Sequence, residues 1–387
     1  MALLNNTIQD YAWGSRVYLA GLRGEEASSK PEAELWMGAH PKAPSRIGDI
    51  PLDQVIRQDP EGVLGPKIVA RFGAQLPFLF KLLAAAQPLS IQAHPNLEQA
   101  REGFARENEA GIPIDAPHRN YRDPNHKPEI ICALTEFWGL NGFRAPGEII
   151  QLFAGVEHEQ AALLRDDLRR RGDEALRDVM KRLWELPLDE KKQLVQTVLA
   201  AAAAGRVPEP ERSWLEKVNT FYPGDVGVLG VLLLNLVHLQ PGQAMFCEAG
   251  ILHAYLEGLG VELMANSDNV LRGGLTSKHV DIPELMRVLH FQSRQVAVLT
   301  PDENGYYPSS VEEFRLRKLN IEGAAVYTPD RAASILVCTE GRFELVTEAP
   351  FVSLQLGPSA SVFCCASSPP VRIEGTGVLY AAEVNLP

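Results

Sequence analysis

Residues 232–258 read LLLNLVHLQPGQAMFCEAGILHAYLEG. Two apolar runs flank Pro241-Gly242, where a fixed proline φ beside a permissive glycine makes a tight turn. A third run, ILHAYL, follows Gly250. Short apolar runs bounded by turn residues read as strands with buried faces. Upstream, PFLFKLLAAAQPLSIQAHPN (77–96) and PEIICALTEFWGLNGF (128–143) follow the same pattern. Beyond Arg294 it returns in SILVCTEGRFELV, VSLQL and GVLYAAEVNL, which suggests a sandwich or barrel. Residues 145–218 differ. Ala, Leu, Glu, Lys and Arg dominate there, and apolar residues recur at helical spacing (Leu163, Leu164, Leu168, then Leu176, Val179, Met180, Leu183). Gly205 and Pro208 stop an Ala-rich helix, and Arg169–Arg171 read as a solvated helix face.

The expected organisation is therefore mainly β with a helical insertion. Residues 1–144 and 221–310 form one β unit, 145–220 the helical insertion, and 311–387 a C-terminal β domain. A chain of 387 residues, 45% hydrophobic and 22% charged, has ample apolar surface for such cores. A net charge of −12 disfavours nucleic acid as a partner, although a local basic pocket still admits a small anion. Five cysteines, an odd count without a C-x-x-C pair, point to reduced thiols in the cytoplasm. MALLNNTIQDYAWGS has no basic region followed by an apolar one, so no signal peptide is expected. The most apolar stretch, 226–239, is too short for a bilayer and is interrupted by Gly230 and Asn235. It reads as buried strand or core.

Three segments carry candidate chemistry. In PLSIQAHPN, Gln92 and His94 are two residues apart, so on a strand they share one face. On its own a Q-x-H pair is more often two ordinary polar residues. In YRDPNHKPEI, Glu129 leads directly into the apolar run IICAL, where a buried carboxylate needs a partner; a solvated loop glutamate is the competing reading. His253 lies within ILHAYL, which alone suits a core histidine. Downstream, however, Glu262, Asn266, Asp268, Asn269, Arg272 and Lys278 crowd among glycine turns, unlike a packed core.

Together these segments resemble the type I phosphomannose isomerase family. Tyr121–Glu129 carry its Y-x-D-x-N-H-K-P-E pattern, and the second signature runs from His253-Ala-Tyr through ELMANSDNVLR to Lys278. With YAWGS and PLSIQAHPN, the resemblance spans nearly the whole chain, although the C-terminal region matches no motif. The family's usual R-A-G-x-T-P-K reads RGGLTSK here, with Gly273 and Ser277 in place of Ala and Pro. Both exchanges bear on backbone shape, and loss of the proline bears on the approach of Lys278.

The resemblance implies a double-barrel, cupin-like (jelly-roll) architecture with an α-helical domain. It assigns Gln92, His94, Glu129 and His253 as ligands of one Zn²⁺ per chain, a donor set that suits zinc with an open position. Ligand type alone also permits Co²⁺, Mn²⁺ or Fe²⁺. The implied reaction interconverts mannose 6-phosphate and fructose 6-phosphate through a cis-enediol. Arg272 matches the family's catalytic arginine, with phosphate binding as its alternative role. Glu262 is the first choice of base, and Lys127 and His126 compete for it. Tyr255 and Asp268 are expected at the substrate during ring opening, and Lys278 at the phosphate with Ser90 and Lys81 as helpers. The expected partners are sugar phosphates alone, without nucleic acid or membrane, and the expected state is a monomer. Two other readings compete, a cupin metal oxygenase and a non-catalytic sugar-phosphate sensor. Gln92 in place of another imidazole disfavours the first, and the complete polar set disfavours the second.

Overall fold

The computed structural model describes residues 1–386. One strand organises the larger sheet. His253–Ala265 pairs with Gln92 and with Phe137–Phe143 near its start, and over its second half with both Phe78–Ala85 and Glu129–Ala133. From there the ten-stranded sheet extends to Leu234–Leu239 on one side and through Glu34–Met37 to Thr7–Gln9 on the other. The second sheet has six strands, ordered Ala2–Leu3, Ser361–Cys364, Ser334–Glu348, Val371–Glu383, Arg315–Tyr327, with Phe351–Leu356 also pairing with Ser334–Glu348.

The expected double-barrel jelly-roll is not what forms. Neither strand order returns to its starting strand, so both sheets are open and the architecture is a mixed α/β fold with a helical insertion. Turn-bounded apolar runs establish strands with buried faces, but closure depends on pairing between the outermost strands, and a local pattern cannot encode that. Pro241-Gly242 illustrates the point. The strands on either side of it do not pair with each other: Leu234–Leu239 joins Phe137–Phe143, and Ala244–Cys247 joins Glu129–Ala133.

Residues 226–239, read as strand or core, are strand only from Leu234; a 3₁₀ turn over Val226–Leu229 and a short helix over Gly230–Leu233 precede it. The first region also contains helices that the strand pattern conceals. The longest, Leu97–Glu109, follows Pro95 directly because Asn96 caps it: its side chain accepts from Gln99 N at 2.8 Å, and Gln99 reciprocates at 2.9 Å.

Alternation along the central strands separates three cores. Phe78, Phe80, Leu82 and Ala84 pack with Ile335, Val337, Phe363 and Tyr380 of the smaller sheet. Leu83, Ala85, Ile131 and Ala133 point the opposite way, towards Phe137, Met245 and Tyr255. The helices Pro146–Leu152, Glu159–Arg171, Leu176–Glu185, Leu188–Ala203 and Glu211–Phe221 bury a shared core against Ile91, Leu140, Ala254 and Leu271. Leu164 and Leu168 face that core, whereas Leu163 is exposed. Among the described residues no helix is long and apolar enough to cross a membrane.

Phe363 is fully buried where the two sheets meet. Phe363→Ala is expected to cost about 3–5 kcal/mol through lost burial and a cavity. Urea denaturation checks this, and a loss below about 1 kcal/mol would mean that this core does not join the sheets.

Candidate metal centre

Glu129 begins its strand with a side chain only 1% exposed. Two fully buried histidines face it, His94 Nε2 at 3.3 Å from Oε1 and His253 Nε2 at 3.3 Å from Oε2. On the far side of each ring Nδ1 meets a carbonyl, Asn269 O at 2.6 Å for His94 and Ile251 O at 3.0 Å for His253. A carbonyl only accepts, so Nδ1 carries the hydrogen, and a neutral ring then turns the Nε2 lone pair towards Glu129. Burial, reinforced by Lys127, pushes the His94 imidazole down to about 4, so that ring is neutral at pH 7.

Both Nε2 atoms are buried without a hydrogen-bond partner. Each such orphan costs about 1–3 kcal/mol, a large fraction of a typical folding stability. Lone pairs directed at a carboxylate have one common remedy, a cation between them. His94, Glu129 and His253 offer ligand atoms within 4.8 Å of one another, so the donors present fit a metal ion. Burial works to raise the Glu129 carboxyl, but Lys127 Nζ at 2.9 Å from Oε1 and the two facing histidines together outweigh it and hold the group well below the usual carboxylate range. The Tyr255 hydroxyl also donates to Glu129, at 3.4 Å.

Register places the remaining candidates. His253 lies opposite both Asn141 and Gln92, and Gln92 lies opposite Arg272. Directly opposed residues point to the same face, so Gln92 and Arg272 continue the row that contains His253. Ser90, half-buried, stands two residues before Gln92.

Glu262 follows His253 at an odd interval, which on a regular strand would turn it to the opposite face. Between Tyr255 and Glu257 the strand gains one residue against its partner, from Gly139 to Trp138, and this bulge inverts the alternation. Glu262 therefore lies opposite Ile131, on the Glu129 side of the sheet. Its Oε2 is 2.7 Å from Lys81 Nζ, which is also 3.4 Å from Glu34. Burial pushes the Glu262 carboxyl up, and Lys81 opposes this without reversing it. Lys81 is committed to these carboxylates. Glu34, which the sequence reading missed, also accepts from the Trp36 indole at 2.7 Å.

Two loops brace the centre. Asn269 Oδ1 accepts from Arg122 N at 2.6 Å and Asp123 N at 3.2 Å, while its amide donates to Asp123 O and Asn125 O. Asp123 in return accepts from Ser267 Oγ and Asp268 N. The aspartates and asparagines of YRDPNHKPE and NSDN are thus largely fasteners between the two loops. Asp268 itself is held by Lys42 at 2.8 Å and His40 at 3.6 Å. Burial pushes its carboxyl up, but these partners prevail and keep it well below its usual range. His126 is drawn away to Glu313, at 2.7 Å.

Arg272 and Lys278 have no ion-pair partner among the described residues. Burial pulls both down, and the charge of Arg122 adds to this in each case. Arg122 occupies the variable position of Y-x-D, so no motif reading could have singled it out.

Comparison with known proteins decides the family. The profile of the phosphomannose isomerase type I catalytic domain matches residues 1–146. The chain is 43% identical to mannose-6-phosphate isomerase of Escherichia coli (strain K12) over 390 residues, covering 98% of each chain. It belongs to the type I phosphomannose isomerase family. The Homo sapiens mannose-6-phosphate isomerase is 35% identical over 378 residues, with 87% of each chain covered. Among solved structures, a point mutant of phosphomannose isomerase from Salmonella typhimurium superposes with a TM-score of 0.93 at 40% identity over 100% of both chains. A mannose 6-phosphate isomerase bound with zinc and yttrium gives 0.92, again at 40% identity and full coverage.

Asn269 touches His94 through its carbonyl and orders both loops, so Asn269→Ala is expected to weaken metal affinity about 10–100-fold with every ligand still present. His253→Ala is expected to remove stoichiometric metal altogether. Competition with a chromogenic chelator reads both, and full metal retention in His253→Ala would contradict the site.

Proposed function

We propose that the protein is a zinc-dependent aldose–ketose isomerase that interconverts mannose 6-phosphate and fructose 6-phosphate. The observation that carries this reading is the pair of orphaned imidazole nitrogens aimed at buried Glu129. Membership of the family supplies the substrate class, and the zinc of the solved relative supports the choice of metal. His94, Glu129 and His253 would hold the ion, with the Gln92 amide oxygen as the fourth protein donor. When bound, zinc supplies Lewis-acid stabilisation of negative charge on the sugar oxygens.

The remaining work falls to this chain's own side chains. Glu262 takes the proton from C2, giving the cis-enediol, and returns it at C1. Its raised carboxyl makes it a stronger base than an exposed glutamate, and Lys81 at 2.7 Å fixes its orientation. Arg272 faces the developing oxyanion, which a preorganised cation stabilises without reorganisation. Lys127 keeps Glu129 ionised, and its ammonium is thereby committed. Tyr255 and Asp268 serve ring opening. Lys278 and Ser90 receive the phosphate, and Arg122 adds positive charge on that side. Five cysteines without a disulfide support the reading that the enzyme works in the reducing cytoplasm.

Incubation of zinc-analysed protein with mannose 6-phosphate is expected to yield fructose 6-phosphate; no product at full zinc occupancy would sink the reading. Glu262→Gln is expected to lower kcat about 10²–10⁴-fold and abolish exchange of the C2 proton with solvent, with zinc retained. Because burial raises Glu262, the acid limb of kcat/KM is expected to rise at a pH above the ordinary glutamate value of about 4.3. Near-normal solvent exchange in Glu262→Gln would transfer the base role to another group.

A further inference from the structure

The segment from Arg272 to Lys278 leaves the sheet through a register shift between Arg272 and Gly274, opposite Gln92 and Ile91. The side-chain fastenings of Gly273, Leu275 and Thr276 come from the helical side. The Trp184 indole, on the helix Leu176–Glu185, donates to Gly273 O at 2.7 Å. Gly274, at φ +153°, lies against Gly227: a Cβ on Gly227 would come within 2.5 Å of Leu275 N, and one on Gly274 within 2.7 Å of Gly227 Cα. Only glycine at both positions permits so close an approach. Leu275 is then buried with φ +52°, a conformation that a non-glycine residue keeps only where its surroundings enforce it.

The group that enforces it is Asp225. Its Oδ1 accepts from Gly227 N at 2.6 Å and Leu275 N at 3.2 Å, and its Oδ2 from Thr276 N at 3.3 Å. Thr276 Oγ1 passes the constraint on by accepting from Lys278 N at 3.0 Å. Ser277, between them, has no proline ring to fix its own φ. We propose that Asp225 is the positioning residue for the phosphate-binding lysine: its carboxylate clamps the left-handed turn at Leu275–Thr276 and thereby sets where Lys278 reaches. Asp225 touches neither metal nor substrate; it acts through Lys278. The claim rests on the reading above only in taking phosphate as the group that Lys278 meets.

The test uses the zinc-loaded full chain. Asp225→Ala is expected to raise KM for mannose 6-phosphate about tenfold, with a much smaller change in kcat. It is also expected to weaken binding of inorganic phosphate, read by calorimetry, by a similar factor at unchanged zinc content. Asp225→Asn keeps one acceptor oxygen and is expected to fall between, which preserves the test should the alanine variant fail to fold. In a Lys278→Ala background the Asp225 substitution is expected to add less than twofold, because neighbours acting through one group are not additive. Full phosphate affinity in Asp225→Asn and Asp225→Ala, with only a lower Tm, would overturn the proposal, as would full additivity with Lys278→Ala. The phosphate titration needs no turnover, so loss of the isomerase reading and loss of the clamp are separable.

Discussion

A carboxylate out of reach of solvent, with two imidazole lone pairs turned towards it, is the constraint around which this molecule is arranged. Lys127 balances the charge of Glu129 but leaves both Nε2 atoms without a partner. Hydrogen bonds from the ring Nδ1 atoms to Asn269 O and Ile251 O hold the rings so that they cannot relieve this by turning. Two orphan acceptors cost roughly 2–6 kcal/mol together, more than many single core contacts contribute. A fold tolerates that when a bound cation offsets it, and binding to the native state alone then adds to stability by mass action. The metal site and the fold's stability are therefore one problem.

The long strand His253–Ala265 shows how the backbone meets that constraint. A single strand carries both the histidine at the metal and the glutamate proposed as base, at an odd interval that regular pleating would put on opposite faces. The extra residue between Tyr255 and Glu257 corrects the parity. Deleting it would leave His253 in place and turn Glu262 towards the Phe80 and Leu82 side, into the core shared with the smaller sheet. A burial penalty for an unpaired carboxylate would follow, together with loss of the Lys81 contact. The placement of Glu262 on the Glu129 side of the sheet and the strand irregularity have the same physical origin here.

This explains which parts were legible from the residues alone. Strand-forming runs and the helical block follow from local periodicity, each visible within a few residues; the four candidate ligands were ambiguous segment by segment and came together only through the long family signatures. What depends on register was not legible. Open sheets in place of closed barrels, the bulge at Tyr255 and the commitment of Lys81 to Glu262 and Glu34 all depend on which strands meet and in what phase, whereas the helix behind Asn96 rests on a local capping box that the strand pattern masked. Residues outside the fixed positions of the motifs were invisible for another reason. Arg122 and Glu34 matter through their neighbours in space, and neither has a distinctive neighbour in sequence. The polar crowd at Asn266–Asn269 was conspicuous, but its composition did not say that Asn269 braces two loops while Asp268 pairs with Lys42.

Charge distribution gives the last step. The chain has a net charge of −12, yet Arg272 and Lys278 stand without carboxylate partners; besides burial, the charge of Arg122 lowers the proton affinity of both, and that of Arg272 lowers Lys278 further. Screening confines the global field to about 8 Å at physiological ionic strength, so the acidic surface does not cancel a local cluster. The two halves of the site are thus electrostatically incomplete in opposite senses. The imidazole lone pairs call for a cation, and the guanidinium and ammonium groups call for an anion. On the roles proposed above, a sugar phosphate with its reactive oxygens between the metal and Arg272 and its phosphate at Lys278 would complete both at once. Such complementarity would select a substrate by the distance between its two polar ends. The heavy fastening of the segment Arg272–Lys278 fits that role, since only a cation held in place can measure that distance.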